Sequence, residues 1–556
     1  MIARAAALER IEAETFDVVV IGGGITGAGV ALDAASRGYS VALIERGDYS
    51  QGTSSRSSKM VHGGLRYLRN FDLGLVREAL MERQLMVHLA PHLVYPTPYL
   101  VPALGEDRRD LRIGIGLNMY DVMATSRIGR GRSQRAEHGA EGEWWSPDRH
   151  RTISGEEAAE LCPALAPSEP SSAYLFYDCQ TDDSRLVLTI LGEAERFGAV
   201  LLNGAEATEV LDDGGRAAGV RFTEAESGER LELRATNVVN ATGVWADTIR
   251  PDELLTEEEV PRIAPSRGAH ISLSTEDLDV GDAAFLVPAG EERTVMVLPW
   301  YGHAMIGPTD KDYDGDLDHV PPGSDHVSYL LEAVNSFLGL DLGPDRITGA
   351  FAGVRPLISS GDPKKSVDIS RKAELYETSS GMLTITGGKL TTWRRMAEMT
   401  VDRLVERDGL QAPCRTDDIP LGMPARPEDL ETELELPEGA SEQLAFRYGH
   451  AARRVLDLCE ERPELAERIV PGMPDLLAEA VLAARSEQAR SVADVLLRRT
   501  RLGLVAAAEL RDPARPRAVA EAIGGELGWG TARIDDELNA WARVVAAEGL
   551  DPAADA

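Results

Sequence analysis

The segment near the start of the chain constrains its fold most. The apolar, β-branched run Phe16–Ile21 ends at the sequence Gly22-x-Gly24-x-x-Gly27. Helical spacing continues to Arg37, and a second apolar run then ends at Glu45. This order predicts a strand, a tight turn, a helix and a second parallel strand, joined by a right-handed crossover.

Each part of this unit suits a bound dinucleotide. Gly22 allows the turn, Gly24 lets the backbone approach a pyrophosphate, and Gly27 lets the helix pack on the strand. The helix N-terminus presents N–H groups to phosphates. Glu45 follows Gly24 by 21 residues, at the position where a carboxylate binds a ribose diol and repels a further 2′-phosphate. The motif predicts a dinucleotide site without separating FAD from NAD.

Composition excludes several classes of protein. The chain has 92 acidic and 58 basic residues, a net charge of −34, which argues against sequence-independent binding of nucleic acid. An acidic surface with few lysines suits a cytoplasm of high salt. The 4 cysteines form no CxxC pair, so we predict neither a disulfide framework nor a metal site. With no signal peptide and no apolar membrane span in the sequence, we expect a cytoplasmic protein.

The pattern along the chain predicts an α/β protein of several domains. Short strands are predicted in a meander at 198–202, 219–222 and 231–234, followed by a buried run at 238–241. The strand-rich stretch between about 262 and 310 predicts a second, antiparallel sheet. From about residue 412 the helical periodicity, clearest at 443–460 and 476–504, predicts a helical C-terminal domain.

We therefore predict three domains. The first is a discontinuous, Rossmann-like parallel-sheet domain for the dinucleotide, formed by 1–95, 180–250 and 350–411. The second is an antiparallel β substrate or cap domain, formed by 96–179 and 251–349. The third is the helical domain, 412–556.

Further segments carry a family resemblance. They are TSSRSSKMVHGGLRY at 53–67, YDCQTDD at 177–183, NATGVWAD at 240–247, GVRPL at 353–357, GGKLTT at 387–392 and EQARSVADVLLRRTRLG at 487–503. With these the chain resembles the FAD-dependent glycerol-3-phosphate dehydrogenase family over almost its whole length. The resemblance implies an FAD-binding domain of the glutathione-reductase and D-amino-acid-oxidase type. It also implies oxidation of sn-glycerol 3-phosphate to dihydroxyacetone phosphate.

The resemblance implies which residues contact the cofactor. The turn at Gly387 and Gly388 is expected beside the flavin ring, because donors there stabilise the reduced, anionic ring. The residues expected to bind FAD are Gly22, Gly24, Gly27, Glu45, Thr53, Ser54, Ser58, His62, Gly63, Gly243, Gly388, Lys389, Leu390, Thr391 and Thr392.

A phosphorylated three-carbon substrate needs several converging cations, since arginine binds phosphate oxygens in a bidentate manner. The candidates are Arg66, Arg355, Arg371 and Lys389, with Tyr67 as a neutral donor and His270 as a further substrate ligand. Transfer of a hydride from C2 to flavin N5 also requires an acceptor for the hydroxyl proton, and histidine is the usual one. We expect His62 to be this base, with Arg355 as the second catalytic residue.

Electrons must finally leave the flavin. The resemblance implies a membrane quinone as acceptor, with peripheral contact at the inner face of the cell membrane, and a homodimer is a further expectation. The arginine-rich stretch 127–151, with Trp144 and Trp145, is a candidate for membrane contact. Three alternatives stay open. They are an FAD-dependent oxidase of an amine or 2-hydroxy acid, a glycerol-3-phosphate oxidase that uses oxygen, and a flavin-binding regulatory protein without turnover.

Overall fold

The computed structural model describes residues 4–65, 72–104, 111–125, 148–249, 263–290, 293–358 and 373–552. The first strands along the chain are β1 Phe16–Ile21, β2 Val41–Ile44, β3 Met60–Val61, β4 Val94–Leu104, β5 Arg151–Ser154, β6 Pro170–Thr181, β7 Val200–Leu202, β8 Ala205–Asp212 and β9 Ala217–Glu224. They are followed by β10 Arg230–Asn240, β11 Ile263–Ser274, β12 Ala284–Pro288, β13 Thr294–Trp300, β14 His303–Gly307, β15 Lys311–Asp312, β16 Ile347–Ile358, β17 Ala373–Glu377 and β18 Leu383–Gly387.

The helices are numbered in the same way. Those before the C-terminal region are α1 Arg4–Ala13, α2 Ile25–Ser36, α3 Leu73–Leu89, α4 Leu111–Thr125, α5 Gly155–Leu161, α6 Asp183–Arg196, α7 Ser324–Leu338 and α8 Trp393–Asp408. Those within it are α9 Ala440–Tyr448, α10 Arg453–Glu461, α11 Leu477–Glu487, α12 Val492–Arg498, α13 Leu502–Val505, α14 Ala514–Leu527 and α15 Thr531–Glu548. None of the helices in the described ranges is both long and apolar enough to cross a bilayer.

A parallel sheet forms the first layer. Its order is β17-β18-β10-β1-β2-β7, and the pairs of β1 with β2 and with β10 are parallel. The predicted strand, turn, helix and strand are thus confirmed as β1, α2 and β2. On one side of the sheet, α2 crosses α8 so closely that a Cβ at Gly29 would lie 2.6 Å from the indole of Trp393. Trp393 is fully buried in this core.

The predicted meander differs in two ways from the structure. The segment predicted at 198–202 forms β7, which extends the parallel sheet beside β2 rather than joining the meander. The runs predicted separately at 231–234 and 238–241 belong largely to the single strand β10. Its first half pairs antiparallel with β9 and its second half pairs parallel with β1, because one long strand serves both the meander and the main sheet.

The second sheet is largely antiparallel, as predicted. Its order is β15-β11-β14-β13-β12-β4-β6-β3, with β16 paired to β11 and β5 paired to β6. The whole of β16 lies in this sheet, so the domain boundary proposed at residue 350 falls inside one of its strands. The apolar side of the sheet packs against α7.

The C-terminal region is helical, as expected, but its helices are shorter than the periodic runs suggested. The run 476–504 divides into α11, α12 and α13. Gln488 ends α11 with φ of 57°, and Arg501 precedes α13 with φ of 70°. Both residues lie in the left-handed region, where an α-helix does not continue. The Ser491 hydroxyl then caps α12 by accepting the Asp494 N–H at 3.0 Å.

Candidate active site

A cavity of about 2310 Å³ extends from the glycine turn after β1 to the face of the second sheet. Its wall includes residues after β1 and β2, the loop 51–58, the turn after β18, and one face of β11 and β16. Sites for drug-sized ligands commonly measure roughly 300–1,000 Å³. This cavity therefore has room for an extended dinucleotide together with a small substrate.

The glycine turn lies very close to neighbouring backbone atoms. Gly22 has φ of 111°, and a Cβ there would lie 2.7 Å from the carbonyl oxygen of Ala241. A Cβ at Gly27 would lie 1.9 Å from the Gly22 carbonyl oxygen. Gly24 is the N-cap of α2 and leaves the first turn of the helix directed at the cavity. Side chains at Gly22 and Gly27 would clash with neighbouring backbone, so glycine is required for the tight turn that directs the helix N-terminus at the cavity.

Glu45 closes the cavity at the end of β2. Its carboxylate accepts the Gly23 N–H at 2.7 Å and the Gly47 N–H at 2.9 Å. Burial, the largest effect, raises the pKa of Glu45 despite these two bonds. The residue therefore supports the glycine turn as well as facing the expected ribose. Next to it, the Arg46 guanidinium lies 4.3 Å from the centre of the Trp245 ring.

The hydroxyl-rich loop after β2 connects the two sheets. The Thr53 hydroxyl donates to the Val354 carbonyl oxygen at 2.6 Å, which attaches the loop to β16. The Ser54 hydroxyl accepts the Ile25 N–H at 2.9 Å, at the first turn of α2. Thr53 and Ser54 thus fix the wall of the cavity opposite the glycine turn.

The far end of the cavity is formed by the turn after β18. Gly387 and Gly388 have φ of 75° and 70°, and a Cβ at Gly388 would lie 2.3 Å from the sulfur of Met396. A short 3₁₀ turn, Leu390–Thr392, follows and leads into α8. The Thr391 hydroxyl accepts the His62 N–H at 3.2 Å and donates to the His62 carbonyl oxygen at 3.3 Å. This pair brings the two predicted segments together.

The register of β11 and β16 builds the remaining wall. Ser266 lies opposite Arg355, Gly268 opposite Gly353, and His270 opposite Phe351. Because side chains alternate across a strand, these residues share one face of the sheet. A Cβ at Gly268 would lie 2.5 Å from the Arg355 guanidinium, so the glycine leaves that side chain its space.

His270 is a buried, neutral histidine. Its Nε2 lies 2.9 Å from the Ser58 hydroxyl, and its ring stacks on Phe351 with 4.8 Å between centroids. Burial, and after it the charges of Lys59 and Arg355, hold the pKa of His270 well below its ordinary value. The imidazole therefore has a free lone pair on one ring nitrogen at neutral pH.

His62 also lies on the cavity wall, but its hydrogen bonds differ from those of His270. Its Nδ1 accepts the Gly64 N–H at 3.1 Å. The hydrogen of the neutral ring is therefore on Nε2, which makes that nitrogen a hydrogen-bond donor. The two predicted histidines thus line the same cavity with different hydrogen-bond partners.

Two of the predicted phosphate ligands, Arg355 and Lys389, line the cavity. Arg355 donates to the Thr309 carbonyl oxygen at 3.1 Å and to Asp310 at 3.2 Å, and it faces the cavity half-buried. Lys389 follows the Gly387 turn and also lines the cavity. The structure brings these two predicted phosphate ligands into one cavity with His62 and His270.

The other predicted residues divide into three groups. Most of the predicted FAD-binding residues line the cavity, namely Gly22, Gly24, Glu45, Thr53, Ser54, Ser58, His62, Gly243, Gly388, Lys389, Leu390 and Thr391. Three are absent from its wall and lie behind it as supports, namely Gly27, Gly63 and Thr392. Arg66, Tyr67, Arg371, Trp144 and Trp145 lie outside the described residues.

A buried polar cluster that the sequence analysis did not assign supports Gly63. The Gly63 N–H donates to the Tyr120 hydroxyl at 2.8 Å, which in turn donates to Asp178 at 2.8 Å. Arg83 pairs with the same carboxylate. Burial nevertheless raises the pKa of Asp178. In the sequence, Asp178 was marked only by its place in the segment 177–183. That place did not predict a role for it.

The fold and the cavity define a dinucleotide-dependent oxidoreductase, and comparison with known proteins agrees. Residues 17–394 match a family model described as FAD dependent oxidoreductase, and residues 414–534 match the C-terminal domain of alpha-glycerophosphate oxidase. Glycerol-3-phosphate dehydrogenase 2 of Mycobacterium tuberculosis is 36% identical, covering 99% of this chain and 91% of that protein. The glycerol-3-phosphate dehydrogenase of Synechocystis sp. is 32% identical, covering 89% of this chain and 90% of that protein. The chain belongs to the FAD-dependent glycerol-3-phosphate dehydrogenase family.

A solved structure supports the same conclusion. The glycerol-3-phosphate dehydrogenase from Bacillus halodurans, complexed with FAD, is 26% identical with a TM-score of 0.75. The similarity covers 98% of this chain and 97% of that one. FAD is accordingly the cofactor of this protein. The tight glycine turn, where a Cβ at Gly22 or Gly27 would clash with backbone, and the long cavity fit FAD.

Replacement of Gly22 tests the glycine turn. In Gly22→Ala, the methyl group meets the Ala241 carbonyl at a backbone angle that alanine disfavours. We expect the purified variant to lose most of its FAD, measured as the ratio of flavin absorbance to protein. Gly38→Ala is the matched control, because Gly38 has φ of 97° but a Cβ there meets nothing within 4 Å. Equal loss of FAD from both variants would contradict this assignment.

Proposed function

We propose that this protein oxidises sn-glycerol 3-phosphate to dihydroxyacetone phosphate. The observation that carries the proposal is one cavity that combines the glycine turn, the predicted phosphate ligands Arg355 and Lys389, and the histidines His62 and His270. The names of the relatives support the same substrate. Bound FAD supplies the two-electron acceptor, to which we propose that substrate C2 delivers a hydride at N5. Binding, orientation and proton transfer are the tasks of the residues on the chain.

Phosphate binding is assigned to Arg355 and Lys389. Arg355 is held by Asp310 and the Thr309 carbonyl, so its guanidinium is pre-oriented on the cavity wall. A planar guanidinium recognises phosphate by two parallel hydrogen bonds, and an ammonium group adds a compact charge. Arg66, Arg371 and Tyr67 stay predictions of the sequence for the same role.

The two histidines are assigned different tasks. The sequence predicts that His62 is the base. However, the Gly64 N–H donates a hydrogen bond to His62 Nδ1, which supports a donor role for Nε2. His270 is neutral and can accept the hydroxyl proton, because its low pKa results from burial, Lys59 and Arg355. A bound phosphate dianion offsets these positive charges and raises the pKa of His270 towards the working range of a base.

A quinone is proposed as the electron acceptor. The relatives are named dehydrogenases, which agrees with an acceptor other than oxygen. A second cavity of about 830 Å³ has a mainly apolar wall that includes Val101, Leu104 and Phe337. It shares Ile113 and Tyr329 with the main cavity, so apolar surface adjoins the proposed site. A homodimer and contact with the membrane stay predictions of the sequence.

Anaerobic reduction of the bound flavin tests the substrate. We expect glycerol 3-phosphate to bleach the visible flavin band rapidly, because its phosphate is bound by Arg355 and Lys389. Glycerol lacks the phosphate, and glycine presents an amine and a carboxylate, so both should bleach it far more slowly. Stopped-flow absorbance measures the three rates. Faster reduction by glycine would instead favour an amine-oxidising enzyme.

Histidine variants test the assignment of the base. We expect His270→Gln to lower the rate constant for flavin reduction by about 10²- to 10⁴-fold and to remove its rise with increasing pH. His62→Gln should weaken substrate binding while the rise with pH persists. Stopped-flow measurements across pH, with FAD content verified, give both results. Loss of the pH dependence in His62→Gln alone would place the base at His62.

The acceptor is tested by reoxidation. After reduction by one equivalent of glycerol 3-phosphate, we expect a soluble quinone analogue to restore the flavin band much faster than dissolved oxygen does. Stopped-flow mixing with each acceptor measures the two rates, and a peroxide assay quantifies hydrogen peroxide. Rapid reoxidation by oxygen with stoichiometric peroxide would identify an oxidase.

A further inference from the structure

Asp183, the first residue of α6, is the centre of a fully buried charged cluster. Its carboxylate accepts the Ser57 hydroxyl at 2.6 Å, the Lys59 ammonium at 2.8 Å and the Arg501 guanidinium at 2.8 Å. It also accepts the Ser184 N–H at 2.9 Å. With the Ser57 N–H, which donates at 3.1 Å, two cations and three neutral donors converge on one anion, which gives this carboxylate a well-satisfied environment.

The cluster joins three distant parts of the chain. Lys59 belongs to the loop that lines the cavity, Asp183 begins α6, and Arg501 lies in the C-terminal helical region. Lys59 and Arg501 also donate to the same carbonyl oxygen, that of Ser55, at 2.7 Å and 2.8 Å. Both residues have left-handed backbone, with φ of 59° and 70°, which persists only where neighbouring contacts hold it.

The cluster leads directly to His270. Ser58 stands between Ser57 and Lys59, and its hydroxyl lies 2.9 Å from His270 Nε2. The Lys59 ammonium lies 4.9 Å from the centre of the Phe351 ring, which stacks on the His270 ring. The hydrogen-bond partner of His270 therefore lies between two residues that Asp183 anchors, and its stacking partner contacts one of them.

Charged groups face His270 from two elements. Lys59 approaches from the loop 55–59 and Arg355 from β16, and both lower the pKa of His270. From β14, Gly307 packs so close that a Cβ there would lie 2.4 Å from the His270 ring. The ring is thus packed between groups of the loop and of the sheet, and it also lines the cavity.

We propose that Arg501, acting through Asp183 and Lys59, is a positioning residue for His270. The C-terminal helical region thereby completes the active site, although Arg501 touches neither substrate nor flavin. The inference rests on the proposed function for the role of His270, but the positioning itself is measurable without substrate. We expect the loss of Arg501 to release the loop 55–59 and to let water reach His270. The hydrogen bond between Ser58 and His270 is then lost.

The first test is a pH titration of His270 in the FAD-loaded protein, monitored by NMR of labelled histidine. The His270 signal is assigned by its loss in His270→Gln. We expect Arg501→Met to shift the pKa of His270 upward by about one unit or more, because it removes a positive charge and an anchor of the loop. The control is Arg37→Met, because Arg37 is equally buried and pairs with Asp33 and Asp402 at 2.6 Å. It should leave the titration of His270 unchanged.

The second test is kinetic. We expect Arg501→Met to retain FAD and to lower the rate constant for flavin reduction by glycerol 3-phosphate about 10- to 100-fold. In a double-mutant cycle with Ser58→Ala, the two losses should be strongly non-additive, because both act through the same contact. If Arg501→Met does not fold, Arg501→Lys is the second variant, because it keeps the charge without the planar guanidinium. It should shift the pKa of His270 by an intermediate amount.

The outcomes separate the proposals. A lower melting temperature of Arg501→Met with an unchanged titration of His270 and an unchanged rate would overturn the positioning role and leave Arg501 as a stabilising residue only. Additive losses in the double-mutant cycle would also overturn it. If glycerol 3-phosphate does not reduce the wild-type flavin while the titration still shifts, the proposed substrate fails and the positioning role stands.

Discussion

Hydroxyl groups in the loop between Thr53 and Ser58 attach one short segment to four other parts of the fold. They contact β16, α2, α6 and β11 through Thr53, Ser54, Ser57 and Ser58 respectively. Each contact is a hydrogen bond with a partner that is itself held in regular structure. The loop can therefore carry polar groups along the cavity without the mobility that exposed loops usually have.

The remainder of the site follows from this attachment. The glycine turn is positioned against Ser54, and β16 is positioned against Thr53 through Val354, the residue immediately before Arg355. Gly268 on the facing strand β11 leaves space for the Arg355 guanidinium. The cavity thus results from small residues placed between fixed polar anchors, rather than from a gap between loosely packed domains.

Buried ion pairs attach the helical C-terminal region to the dinucleotide-binding part of the fold. Asp48, at the end of the β2 unit, accepts both Arg498 and Arg499 in a fully buried position. Arg501 pairs with Asp183 two residues later. Breaking one partner of such a buried pair leaves an uncompensated charge and costs about 3–5 kcal/mol. The helical region and the dinucleotide-binding sheet therefore behave as parts of one structure.

Local sequence determined the parts of this protein that depend on local physics. The strand, glycine turn, helix and Glu45 were predictable because backbone sterics and alternating apolar patterns act over a few residues. The role of Asp183, the extent of β10 and the contacts of His270 were not. These depend on residues hundreds of positions apart, such as Arg501 beside Asp183. Only the tertiary structure decides such contacts, because burial and charge pairing follow from where distant segments meet.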